Sequence, residues 1–216
     1  RGALRTLGNR LFPFVAVPAF LILLRAAAYG YVAAPTFIRP WSVNLLTQFE
    51  VVARYLGLWI APWPQSIYHD HPVVPLPGTA RAWAAGALEL GVLALAILRG
   101  RRAPALAFGA LVLFGTLAPT SSVFALKETM AEHRTYLPSI GWAFVVSWIF
   151  GGPLSARFGV RQAALALAAV LTAYVPLHLG YDALWRTEEG LWTHAIARNP
   201  HAGDAWRILG DVYLGQ

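Results

Sequence analysis

Between Lys127 and Arg134 the chain gathers five charged or titratable side chains: Lys127, Glu128, Glu132, His133 and Arg134, with Tyr136 just beyond. A guanidinium is the natural partner of a phosphate, because its planar fork makes two parallel charge-assisted hydrogen bonds. A nearby carboxylate can hold that fork in place, and a tyrosine can add a hydrogen bond at headgroup depth. Read as a short helix capped by Ser122, the segment puts Glu128 and Glu132 on one face and Lys127 and Arg134 on another. The plainer alternative is a solvated turn with internal ion pairs.

Two further places carry chemistry. Tyr68, His69, Asp70 and His71 follow one another in a stretch that Pro64, Pro72, Pro75 and Pro77 keep from being helical. If that stretch is extended, His69 and His71 point the same way. Two imidazoles and a carboxylate can hold a divalent cation; a solvated loop or a substrate contact is the competing reading. Glu89 stands alone in an apolar run, roughly 12 Å deep at about 1.5 Å per residue. A carboxylate there is either a functional group or a protonated one bonded to a neighbouring helix.

The elements that must position these groups follow from composition. Of 216 residues, 57% are hydrophobic and 12% charged, against about 25% charged in soluble domains. Mean hydropathy is +0.53. Disorder and a single soluble core are excluded, since too few polar groups exist to coat such a core. There is no cysteine, hence no disulfide, thiolate metal site or cysteine nucleophile. A formal net charge of +7 without basic runs interleaved with aromatics points to cytoplasmic loops of a membrane protein, not to nucleic acid.

The expected fold is all-α: a polytopic helical membrane bundle followed by the start of a repeat array. Spans of about 20 apolar residues are predicted near residues 11–28, 80–98, 103–121, 136–152 and 162–181. Basic clusters Arg1, Arg5 and Arg10, then Arg99, Arg101 and Arg102, then Arg157 and Arg161 fall on one side, the cytoplasm by the positive-inside rule. Residues 29–79, 122–135 and everything after Tyr181 then lie outside. Residues 45–61 are predicted as an interfacial helix, with a sixth span as the alternative. Leu45, Phe49, Val52, Leu56 and Trp59 make one apolar stripe, Thr47, Glu50 and Arg54 lie opposite, Asn44 caps and Pro62 follows.

Composition shifts after Tyr181. The last 35 residues hold five of the ten acidic residues. Trp206, Leu209, Gly210 and Tyr213 have the W-x2-L-G-x2-Y spacing that opens a tetratricopeptide repeat. Trp192, Ala195 and Pro200 fit the end of the preceding one in the same register, with Glu188 a departure where a small residue is usual. The organisation expected is a membrane domain over residues 1–182 and a truncated beginning of external repeats over 183–216. Without an initiator methionine, and ending inside a motif, the sequence reads as an internal piece of a longer protein.

These features together resemble the C-terminal half of the membrane-and-tetratricopeptide-repeat O-mannosyltransferase-like proteins, of the GT-C class of polytopic glycosyltransferases. Asn44-Leu45-Leu46-Thr47-Gln48-Phe49 with Arg54-Tyr55-Leu56, then Tyr68-His69-Asp70-His71-Pro72, then Ala131-Glu132-His133-Arg134-Thr135-Tyr136-Leu137-Pro138 carry the likeness, the third stretch and the repeats most specifically. The resemblance implies an enzyme that moves a sugar, mannose among the candidates, from a polyprenyl-phosphate carrier to an acceptor, a protein or peptide presented by the repeats, on the non-cytoplasmic side. It implies that the catalytic acid lies upstream of residue 1, so no catalytic residue is assigned. Arg134, with Lys127 or Arg54, would neutralise the carrier phosphate. Glu132 and His133 would orient that arginine or contact sugar hydroxyls, and Tyr68, Asp70 and Tyr136 would line the same cavity. No cofactor is fixed, a divalent metal on His69 and His71 being the weak candidate. A non-enzymatic membrane-anchored repeat scaffold and a lipid-linked sugar transporter are the alternatives. Lack of cysteine and richness in Ala and Arg favour a bacterial inner membrane with periplasmic repeats.

Overall fold

The computed structural model describes residues 39–121 and 125–215. The span expected at residues 11–28, its flanking arginines and the Ser122 cap lie outside the described residues. Those described form α1 (Trp41–Ile60), α2 (Ala80–Leu98), α3 (Pro104–Leu117), α4 (Tyr136–Ile149), α5 (Ser155–Phe158), α6 (Val160–Asp182), α7 (Glu188–Arg198) and α8 (Gly203–Leu214). No strand occurs among them; the one β-bridge pairs His69 with Met130.

Among the described residues, three helical stretches are long and apolar enough to cross a membrane: Ala80–Leu98, Glu132–Phe158 and Val160–Arg186. Only 28%, 11% and 6% of their apolar windows are buried, so most of that apolar surface has no protein partner and suits a hydrocarbon surround. The first matches the expected span end to end. The second runs further than expected, because a one-turn 3₁₀ segment, Glu132–Thr135, leads into α4 and a π-helical turn, Phe150–Leu154, carries it into α5. Pro153 sits in that turn; it has no N–H for the α-helical ladder, and the wider turn absorbs the defect. Gly151 and Gly152 thus lie within a helical rod, not at its end. Gly159, at φ +91°, makes the reversal into α6. The run expected over 103–121 is helical only over α3's 14 residues, short of a full span.

The sequence reading of α1 needs correction. The helix starts at Trp41, and Asn44 lies inside it, accepting from Arg39 Nε at 2.7 Å. Both sides are partly covered: Asn44, Thr47, Gln48 and Glu50 are buried with Val51, Val52, Tyr55 and Leu58, while Leu45, Phe49, Leu56 and Trp59 are half-buried and Arg54 is exposed. The cause lies in the loops. Proline-rich residues 61–79 and the segment 125–131 cannot satisfy their own backbones, and α1 supplies partners. Gln48 Nε2 donates to Thr129 O (2.9 Å), Thr47 Oγ1 accepts from Val74 N (3.0 Å), and the Tyr55 hydroxyl both donates to Ala131 O and accepts from Ala131 N, each at 2.9 Å. With its backbone so engaged, segment 125–131 does not form the expected helix; only Glu132–Thr135 turns.

Two cores fix the bundle. Val51, Val52, Tyr55 and Leu58 of α1 meet Leu113, Leu117 and Met130, with Trp59 stacked on Trp142 at 5.9 Å. Leu46, Val74 and Ala82 form the second, over which Phe49 lies against Gly86. Helices α3 and α4 approach closely at Gly109 and Gly141: a Cβ on Gly141 would strike the Gly109 carbonyl and the Leu113 backbone. Gly141→Ala should therefore cost about 1–3 kcal/mol by overpacking, read as a lower melting temperature in detergent. Gly115→Ala, where a Cβ meets nothing within 4 Å, should leave melting unchanged or raise it slightly.

Candidate functional site

The site begins with Thr79. Its hydroxyl caps α2 by accepting from Ala82 N (3.0 Å) and donates to Glu50 Oε1 (2.7 Å). One side chain therefore fixes where α2 starts and where the Glu50 carboxylate sits. Glu50 Oε2 lies 3.8 Å from both His71 Nε2 and Arg81 Nε. Two residues earlier in the loop, His69 Nε2 meets Glu132 Oε1 at 2.6 Å, and the same oxygen accepts from Ser66 N at 2.9 Å. With Nε2–H donating to Glu132, the ring presents Nδ1 as its acceptor. The bridge from His69 to Met130 and the bond from Thr129 Oγ1 to His71 O (2.9 Å) lay the histidine loop along segment 129–131.

These residues enclose a polar cavity of about 220 Å³, lined by Glu50, Arg54, His69, Asp70, His71 and Arg81, with Met130 and Asn199 at its edge. Arg54 and Asp70 are exposed and have no ion partner among the described residues. Arg81 is 75% exposed and only loosely paired. The cavity thus offers two accessible guanidinium groups to an anion. It also offers imidazoles and a free carboxylate to hydroxyl groups.

The sequence-predicted residues do not all gather in one place. Arg54 and Asp70 line the cavity, and Glu132 forms the wall behind His69. Arg134 lies elsewhere: its side chain, 9% exposed, is held by Glu128 through the carbonyl (3.2 Å) and carboxylate (3.5 Å), not by Glu132. Lys127 reaches Asp204 at 2.9 Å, which holds the Asp204 carboxyl below its usual value. His133 and Tyr136 are exposed, and Tyr68 packs against the tail. His69 and His71 face different carboxylates instead of sharing one ion, and no cluster of three metal-ligating side chains occurs among the described residues. Glu89 is buried on the α2 face that meets α1, near Ala53, with Oε1 unpartnered among the described residues. The sequence reading did not include Glu50 or Arg81 in the site; an acid on the polar side of an otherwise apolar helix was the available signal for Glu50.

A separate, apolar cavity of about 350 Å³ lies between Pro62, Trp63 and the end of α6 at Pro176, Tyr181 and Leu184. The tail forms a hairpin. Thr187 caps α7 by accepting from Gly190 N (3.1 Å), and Ala195, Ile196, Ala202, Ala205 and Leu209 pack α7 on α8. Trp192 packs against this cluster, whereas Trp206 and Tyr213 are exposed and Gly210 opposes nothing within 4 Å. Two helices make one hairpin, fewer than the three or so repeats a stable array takes.

Among known proteins, the chain is 33% identical over 101 residues to protein O-mannosyl-transferase Tmtc2 of Drosophila melanogaster, covering 46% of this chain and 11% of the fly protein. The chain thus spans about a ninth of that relative's length. No family model and no solved structure matches the chain. The likeness suggests a membrane glycosyltransferase-like protein.

Burial depresses the affinity of His71 for a proton below the ordinary imidazole value of 6.5, with Arg81, Arg54 and His69 acting the same way and Glu50 opposing them. The unfolded chain therefore binds this proton more readily than the folded one. His71's contribution to stability is whole above pH 6.5 and is lost as pH falls below it, towards the depressed folded value. The melting temperature should drop as pH falls below 6.5, and His71→Gln should flatten that part of the curve.

Proposed function

We propose that the chain is part of an integral-membrane glycosyltransferase that takes a sugar from a polyprenyl-phosphate carrier on the non-cytoplasmic side, with the polar cavity as its donor phosphate and sugar site. The observation that carries the reading is the pairing of Arg54 and Arg81 with Asp70, His69 and His71 in one cavity at the start of α2, a helix of membrane-spanning length. An anionic lipid keeps its phosphate at the layer where such a helix meets water. The partial likeness to an O-mannosyl-transferase supports the same class.

In this reading Arg54 and Arg81 bind the carrier phosphate. As the bond from the sugar's anomeric carbon to the phosphate oxygen breaks, the electron pair stays on that oxygen, and the two guanidinium groups stabilise the growing charge. The acceptor hydroxyl oxygen forms the new bond, and its proton passes to a base contributed by upstream sequence. His69, fixed by Glu132, and Asp70 hold sugar hydroxyls. Arg134, bound to Glu128, acts behind the cavity by shaping segment 128–134. Lys127 ties that segment to the tail, where further repeats would present a protein acceptor. Arg99, Arg101 and Arg102 follow the far end of α2, and Arg157 and Arg161 flank the α5–α6 reversal; both clusters suit the cytoplasmic face.

In membranes containing the intact protein, transfer from radiolabelled polyprenyl-phosphate mannose should fall about 10–100-fold in Arg54→Ala and in Arg81→Ala, as for losing a hydrogen-bonded charge of about 1.5–3 kcal/mol. Transfer at the wild-type rate by the double variant would remove the cavity from donor binding; no transfer by the wild type from any polyprenyl-phosphate sugar would end the reading. These 216 residues have no cysteine, so in the intact protein, with any cysteine outside them replaced by serine, Asp204→Cys reports topology. It should react with an impermeant maleimide from the non-cytoplasmic side, and reaction only from the cytoplasm would invert the orientation.

A further inference from the structure

Asn199 closes α7, and its side chain reaches the histidine loop. Nδ2 donates to Tyr68 O at 2.7 Å and more weakly to Ala195 O at 3.5 Å. Both partners are carbonyls, so the amide orientation is set: the nitrogen faces them. Tyr68 directly precedes His69, and Asn199 itself lines the polar cavity. The hairpin grips the same region in three other ways. Ile67 and Tyr68 pack against its core, Lys127 pairs with Asp204 at 2.9 Å, and the Arg198 guanidinium lies over the Trp63 ring at 4.3 Å. Within the loop, Ser66 Oγ donates to the same Tyr68 carbonyl (2.8 Å) and accepts from Tyr68 N (3.4 Å); beyond it, Ser66 N reaches Glu132 and the other ties, His69 to Met130 and Thr129 to the His71 carbonyl, begin only after Tyr68.

We infer that Asn199 is a positioning residue of the cavity: by fixing the Tyr68 backbone it seats His69 on Glu132, and the cavity holds its shape only with the tail hairpin docked. The membrane end supplies the charges, and the tail supplies the register of the loop that carries half of them. The kinetic consequence rests on the cavity's being the donor site; the structural consequence does not.

Amide hydrogen exchange of the intact protein in detergent, followed by mass spectrometry, separates the two. Asn199→Asp keeps the shape but has no donor and sets a carboxylate against the Tyr68 carbonyl. It should speed exchange over residues 66–69, including the Ser66 amide on Glu132, roughly three- to tenfold, the effect of one net hydrogen bond. The Val74 amide, bonded to Thr47, should keep its wild-type rate. Asn199→Gln retains the donor and should recover part of the protection. In the transfer assay Asn199→Asp should raise KM for polyprenyl-phosphate mannose, with Asn199→Gln nearer the wild type. Unchanged exchange over 66–69 in Asn199→Asp overturns the inference even if transfer is lost. Equal acceleration at Val74 overturns it too, since that is general loosening. If the wild type transfers nothing, the donor-site reading falls while exchange alone still decides the role of Asn199.

Discussion

The Tyr55 hydroxyl, wholly buried between the N–H and the C=O of Ala131, is the contact on which the site depends. Backbone groups taken out of water must find partners, and segments 61–79 and 125–131 lie against the bundle without a helix or sheet of their own. Their partners come from one side of α1: Thr47 for Val74, Gln48 for Thr129, Tyr55 for Ala131. Each such side chain would be costly to bury alone, and each loop backbone likewise. Burying them together removes both penalties and fixes register, because a hydroxyl that donates and accepts at one residue cannot serve the next. Burial also pushes the Tyr55 phenol away from ionising, which keeps its proton available to Ala131.

Once segment 129–131 is pinned to α1, the rest of the cavity follows by short steps. Met130 bridges His69, Thr129 holds the His71 carbonyl, and Glu132, one residue beyond the clamp, meets the His69 ring and the Ser66 amide. From the other direction Thr79 couples the first turn of α2 to Glu50. Glu50, His71 and Arg81 are thus set by one helix start and one loop, and the charges gather where spanning helices end. That is where charge costs least, since water is near enough to solvate what the protein leaves unpaired.

How much of this was legible depended on range. Apolar run length is a local property, so α2 is found from Ala80 to Leu98 as the sequence indicates, and α6 within two residues of residues 162–181. The Asn44–Trp59 pattern signalled a helix but not its start, which lies at Trp41 with Asn44 inside, and an amphipathic stripe says which side differs and not what covers each side. Loop backbones partner Thr47 and Gln48, and the Thr79 hydroxyl partners Glu50. The cavity's pairings join residues far apart in sequence: Glu50 to Thr79, His69 to Glu132, Tyr68 to Asn199. No spacing rule encodes those contacts, so Arg81 and Asn199 had no signal at all, whereas Asp70 and Glu132 stood out by residue type and Arg54 through the family resemblance.

Commitment, more than residue type, decides which cation is available to a ligand. Arg134 sits in the densest charged segment and has the chemistry for a phosphate, yet its fork is occupied by Glu128 and its side chain is almost covered. Arg39 nearby is likewise engaged, by Asn44 and the Leu126 carbonyl, and the two like charges together with burial lower the hold of Arg39 on its proton. Recruiting Arg134 would require breaking its bonds to Glu128 and exposing segment 128–134. Arg54 needs no such rearrangement: it is already exposed at the cavity. Arg81 gives up only a loose contact at 3.8 Å, and Glu50 keeps the Thr79 hydroxyl at 2.7 Å when it does. Of the described arginines lining the cavity, Arg54 and Arg81 are therefore the ones an anion could engage without breaking a close hydrogen bond.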